Sequence, residues 1–194
     1  MGRIKRISDE DVLGALLGAM EATGPAGLTF AKAAAVVGLS SATLVQRFGT
    51  RDAMIEAVLL HAWDRLDALT AAADSEAPET PAGAIALLLR LMPGDTAERD
   101  VTEGLLLLRE DLRNPALRAR GHAWGDYLAK SLSRRLPCRS GQAGQTGWQM
   151  LSIWQGAIIW WAFKRDGDPE AAIRSALEGW WASVGSGTPA DARD

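Results

Sequence analysis

The stretch from Thr29 to Arg51, TFAKAAAVVGLSSATLVQRFGTR, leaves few folds open, because it has the grammar of two short helices joined by a tight turn. Thr29 is placed to cap the first helix, Ala33, Val36 and Val37 give it an apolar face, and Gly38 follows where a left-handed residue ends a helix. Ser40 or Ser41 caps the second. Leu44 and Phe48, four apart, share its inward face, while Gln46 and Arg47 fall on the opposite side with Ser41, Ala42 and Thr43 at the leading end. Those outward side chains have the reach to enter a DNA groove. An ordinary helical hairpin with a solvated polar face satisfies the same spacing.

The flanking sequence extends this into a helical unit. Ser8 followed by Asp9, Glu10 and Asp11 is a helix start, since a serine cap and acids in the first turn meet free amides and the positive helix end. That helix is predicted to run to about Thr23, with Val12, Leu16, Ala19 and Met20 inward and Gly24, Pro25 and Gly27 stopping it. Thr50 caps a fourth helix, in which Met54, Val58, Ala62 and Leu66 recur at four-residue spacing through Leu69.

Beyond it, Ala72 to Gly83 shifts to small, acidic and proline-rich residues, which predicts a linker ahead of a larger helical remainder. Helices are predicted over 84–92, over 96–113 with Val101, Leu105 and Leu108 on one face, over 115–136 with Leu117, Trp124, Leu128 and Leu132 inward, over 148–164, and over a last segment through Ser183. No strand pattern competes. The expected organisation is all-α: a three-helix DNA-binding domain over 1–50, a connecting helix over 51–73, a helical ligand-binding and dimerisation domain over 84–185, and a disordered tail over 186–194.

With 194 residues the chain is long enough to bury roughly 70% of its unfolded surface, so no staple is required. The single cysteine, Cys138, excludes an internal disulfide framework and a metal-binding cysteine pair; it reads as an incidental thiol and fits a reducing cytoplasm. A net charge of −3 speaks at first against a nucleic-acid partner. The distribution reverses that: Met1 to Asp52 carries 6 Lys/Arg against 5 Asp/Glu, and Arg3, Lys5 and Arg6 cluster at the amino terminus. No signal peptide is visible. The apolar run from Trp148 to Phe163 is shorter than the ~20 residues of a membrane span and reads as a buried helix.

That helix and the last one are apolar on too many sides. Leu151, Trp154, Ile158 and Trp161 form one stripe of the first, and Met150, Ile153, Ala157 and Trp160 another; Ile173, Leu177, Trp180, Trp181 and Val184 crowd the second. A homodimer joining both helices to their symmetry mates in a four-helix bundle hides this surface, with Ile153, Gly156, Trp160, Ile173, Leu177, Trp180 and Trp181 at the interface and Gly156 permitting close approach. The alternative is one large core filled by the aromatics.

The run from Gly27 to Val58, including Gly38-Leu39-Ser40, Thr43-Leu44, Phe48 and Arg51-Asp52, resembles the amino-terminal signature of the tetracycline-repressor (TetR) family of transcriptional regulators. The resemblance covers the amino-terminal quarter in detail and the remainder only in helix count and order. It implies an all-helical homodimer that binds double-stranded operator DNA, is released by a small-molecule effector, and needs no cofactor or metal. Ser41, Ala42, Thr43, Gln46 and Arg47 then match the recognition helix, with Gln46 and Arg47 as candidate base readers, phosphate contact being the alternative for either. Thr29 and Arg51 match positions that hold the phosphate backbone; Arg3, Lys5 and Arg6 form either a basic arm that follows the backbone or enters the minor groove, or a disordered solubilising tail. Val45 departs from the pattern, since the family commonly has an aromatic phosphate contact there. The family's effector cavity would be lined here by Trp63, Leu105, Leu108, Arg109, Trp124, Tyr127, Trp154 and Ile158, suiting an apolar or aromatic molecule with an acidic group met by Arg109, although each of these residues by itself reads more readily as core packing.

An enzyme is disfavoured on chemical grounds. His61 and His122 lack a serine, cysteine or carboxylate constellation, and the sequence has no phosphate loop, HxxxH or CxxC spacing. A helical protein-interaction module without DNA binding is the rival that Val45 suggests.

Overall fold

Local capping sets most helix boundaries in the computed structural model, which describes residues 7–92, 97–137 and 143–185. Ser8 accepts from the Asp11 amide and opens α1 (Asp9–Gly27), Thr29 accepts from the Lys32 amide and opens α2 (Phe30–Val37), and Ser40 accepts from the Thr43 amide and opens α3 (Ser41–Phe48). Of the two serines considered for the last cap, the structure uses Ser40. Thr50 accepts from the Ala53 amide at the start of α4 (Arg51–Glu76). The remaining helices among the described residues are α5 (Pro81–Arg90), α6 (Ala97–Arg113), α7 (Pro115–Arg135), α8 (Ala143–Lys164) and α9 (Pro169–Gly185). No strand occurs among the described residues.

Three boundaries differ from expectation. Helix α1 continues past Thr23 because Gly24 takes φ +70° and ψ 163°, a kink that accommodates Pro25 and lets one more turn form behind it. The segment 72–83 is mostly helical: α4 extends to Glu76 and α5 begins at Pro81, where the ring occupies the first helical position behind the Thr80 cap. Helix α8 starts at Ala143 rather than Trp148.

The chain divides into two compact units, Met1–Asp67 with Thr102–Gly121, and Ala68–Val101 with His122–Asp194. The boundaries between them fall within α4, α6 and α7. In the first unit, Val12, Leu16, Leu17 and Met20 of α1 meet Ala33, Val37, Leu44, Met54 and Val58 around Leu28, and Leu117 of α7 closes the cluster. Val36, expected inward, is exposed, and the α2 core face is Ala33 and Val37. Leu107 is the α6 leucine that packs on this core, whereas Leu105 and Leu108, expected inward, are exposed. The four-leucine run 105–108 carries no phase of its own. Asp111, one turn beyond Leu107, accepts from Trp63 Nε1 at 3.0 Å and shows which face meets α4.

In the second unit, α9 packs on α8 and α5, and the core comprises Leu87 and Leu88, Trp124, Leu128 and Leu132, Met150 and Leu151, and Ile173 and Leu177. Helix α8 approaches α7 closely at Gly147, where a Cβ would collide with the Ala129 carbonyl; Gly156, expected to allow close approach, has open space in the protomer. The end of α4 is pinned by a buried cluster. Asp74 accepts from Tyr127, Ser131, Arg134 and Arg135, and the Arg135 guanidinium also donates to the carbonyls of Asp74, Ala77, Pro78 and Ser131. Burial pushes the Asp74 carboxyl upward, but the Arg135, Tyr127, Arg134 and Ser131 hydrogen bonds outweigh it and hold it below the usual range.

Candidate nucleic-acid interface

Helices α2 and α3 meet through a turn in which Gly38 sits at φ +68° and ψ 27°, a left-handed conformation that caps α2 and lets Leu39 N–H reach the Ala34 carbonyl at 3.2 Å. Ser41 Oγ donates to the Phe30 carbonyl at 3.4 Å, tying the head of α3 to α2. Leu44 is fully buried and Phe48 partly so, which fixes the rotation of α3 about its axis. The consequence is that Ser41, Ala42, Thr43, Val45, Gln46 and Arg47 all lie on the exposed surface. The expected recognition residues thus share one presented helix, and Gln46 makes no side-chain hydrogen bond among the described residues.

Several of these side chains already have partners in the free protein. The Thr43 hydroxyl lies 2.8 Å from Ser40 Oγ, and Thr29 holds the Lys32 amide. Arg47 is ion-paired with Asp9 in the first turn of α1. Asp9 escaped sequence reasoning because an acid in a first turn is sufficiently explained by the helix dipole. Arg51 is not the free point charge expected at a phosphate: its Nε donates to the Leu28 carbonyl at 2.8 Å, and its Nη2 donates to Pro25 at 2.6 Å and Ala26 at 3.2 Å. These carbonyls lie where α1 kinks and ends and the regular intrahelical donors run out; the Leu28 amide serves Pro25 alone of the three, and Arg51 supplies a fork of further donors. Arg3, Lys5 and Arg6, Cys138 and the 186–194 tail lie outside the described residues.

The expected effector-lining residues divide between the two units. In the first, Leu105 and Leu108 are exposed, Arg109 donates to Glu110 at 2.7 Å, and Trp63 is bound to Asp111. Burial raises the Asp111 carboxyl above its usual range; the Trp63 bond opposes this and the Glu110 charge adds to it. In the second, Trp124 donates to Thr70 Oγ1 at 2.9 Å, Tyr127 donates to Asp74, Ile158 is half-buried, and the buried Trp154 Nε1 has no hydrogen-bond partner among the described residues. Trp63, Trp124 and Tyr127 therefore serve as polar ties between helices, a role that spacing does not distinguish from ligand contact. His61 and His122 join no metal-binding group among the described residues, and no helix there is long and apolar enough to cross a membrane.

Solved structures share this architecture at low identity. A transcriptional regulator from Pseudomonas aeruginosa PAO1 is 17% identical, with a TM-score of 0.74 over 95% of each chain. A protein assigned to the TetR family of transcriptional regulators from Rhodococcus sp. is 20% identical, with a TM-score of 0.64 over 90% of this chain and 96% of its own. The TetR-family regulator PfmR from Thermus thermophilus is 20% identical, with a TM-score of 0.55 over 86% of this chain and 94% of its own. The chain has the TetR-family fold. No protein-family model matches the sequence, and no curated protein does.

On this TetR-family fold the last two helices present a divided surface. Ile173 and Leu177, expected at a dimer interface, are fully buried within the protomer, because they form the α9 face that packs on α8 and α5. Ile153, Gly156, Trp180 and Trp181 are half-buried. The open apolar surface is on α8, where Trp160 is 64% and Phe163 77% exposed, their ring centroids 5.7 Å apart, with Ile159 beside them. Phe163 was missed because the two stripes read from the sequence stop at Trp160 and Trp161, and Ile159 because it falls in the phase of neither.

Proposed function

We propose that the protein is a DNA-binding transcriptional regulator, a homodimer that represses from an operator and is released by a small apolar or aromatic molecule in the cytoplasm. The observation that carries the reading is α3: capped by Ser40, locked in rotation by Leu44, and presenting Gln46 and Arg47 on one exposed face. An α-helix so presented fits a major groove, where an amide pairs with adenine and a guanidinium with guanine. Thr29, at the amino terminus of α2, supplies a hydroxyl and free amides suited to phosphate. The exposed Trp160, Ile159 and Phe163 support a dimer through α8, since two copies of the unit must be joined to read successive half-sites.

The test is selection of genomic fragments followed by gel shift, including the region upstream of the protein's own coding sequence. Salt-sensitive, sequence-specific binding that weakens by about 1–3 kcal/mol and relaxes at one base position in Gln46→Ala is expected. Failure to enrich any fragment at low salt sinks the reading.

A further inference from the structure

We propose that an open cleft of about 530 Å³ in the first unit is a binding site for an organic carboxylate with an apolar body, and that Arg113 anchors the carboxylate. The cleft is bounded by the last turn of α1, the first turns of α4, the end of α6 and the start of α7. Its volume lies within the range of small-molecule sites. Ile55, Leu59 and Leu117, which line its floor, are core residues with little exposure of their own, so the floor is apolar and firmly held.

The charge accounting of the walls selects the ligand. Three arginines and three carboxylates line the cleft, yet they are not equivalent. Glu110 accepts from Arg109 at 2.7 Å, Glu56 accepts from Asn114 Nδ2 at 2.6 Å, and Asp52 lies 3.8 Å from Arg51. Arg51 spends three donor bonds on carbonyls of the α1 end. Arg113 alone among these six has a charged side chain with no partner among the described residues. The unspent capacity is therefore one guanidinium, whose planar fork matches a carboxylate in bidentate geometry. A cationic ligand would need a carboxylate that is already engaged. A small inorganic anion would satisfy Arg113 and leave the apolar floor uncovered.

The site rests on the regulator reading for its purpose: Arg51, the first residue of α4, is a wall of the cleft, and α4 follows α3 after only Gly49 and Thr50. A molecule lodged there touches the segment that carries the recognition helix.

Occupancy is measured on the full chain without DNA, so that it stands apart from the DNA reading. Calorimetric and two-dimensional NMR titrations use 2-naphthoate and octanoate, with 2-naphthamide and 2-naphthylmethylamine as matched neutral and cationic probes. The carboxylates are expected to bind and to shift the Arg113 side-chain and Ala26 amide signals, with affinity falling about ten- to hundredfold in Arg113→Ala. Because Arg113 has no side-chain partner among the described residues, that variant should melt with the wild type, which separates loss of the site from loss of the fold. Absence of carboxylate binding at millimolar concentration, binding indifferent to Arg113→Ala, or equal affinity for the amine overturns the proposal. Carboxylate binding by a protein that fails every gel shift leaves the site standing and removes the regulator reading.

Discussion

The Arg47 guanidinium of α3 is paired with the carboxylate of Asp9, so this cation is partly neutralised by its own chain. Binding to a phosphate must exchange one anion for another, and binding to the neutral acceptor edge of guanine must give up the carboxylate altogether. Asp9→Asn is therefore expected to tighten DNA binding at low salt and to steepen the plot of log affinity against log salt by about 0.9, the value of one additional phosphate neutralised. Weaker specific binding by Asp9→Asn would show instead that Asp9 aims Arg47 at a base.

Arg51→Lys is expected to lower the unfolding free energy by about 1–2 kcal/mol, measured by denaturant titration. An ammonium cannot reproduce the fork that serves Leu28, Pro25 and Ala26 together. An unchanged midpoint would mean that those carbonyls are served adequately by water.

Asp74→Asn leaves the Arg135 guanidinium, whose side chain is only 2% exposed, without its anion and is expected to cost about 3 kcal/mol at neutral pH. Asp74 has a lowered folded-state pKa, so its contribution is present above the ordinary carboxylate pKa and is lost as pH falls through the folded value. The gap in stability between wild type and variant should therefore narrow on acidification. A gap that widens as pH falls contradicts the assignment.

Trp124→Phe and Trp154→Phe remove the same atoms from two buried sites, but of the two indoles that of Trp124 alone has a hydrogen-bond partner among the described residues, Thr70. Trp124→Phe should be the more destabilising by at least about 1 kcal/mol in thermal or chemical unfolding. Equal losses would indicate a water at the Trp154 nitrogen.

Trp160→Glu combined with Phe163→Glu is expected to halve the mass seen by light scattering at micromolar concentration while leaving helicity unchanged, because both side chains project from α8 into solvent in the protomer. A wild-type protein that is already monomeric overturns the dimer.

The sequence by itself determined the helices of the amino-terminal unit and the turn between α2 and α3. Ser8, Thr29, Ser40 and Thr50 each act on an amide three residues ahead, and Gly38 acts at its own φ, so the decisive bonds lie within a few residues and can be read from spacing. The exposed set on α3 follows from the same local logic once Leu44 points inward. Tertiary structure alone decided which leucine of the 105–108 run faces the core, that Arg51 serves carbonyls 23 to 26 residues away, that Arg47 meets Asp9, and that Ile173 and Leu177 are core. Those outcomes depend on partners brought together by packing. A long cationic or apolar side chain is compatible with many partners, and only the assembled fold selects the one that leaves the fewest carbonyls unbonded and the least apolar surface in water.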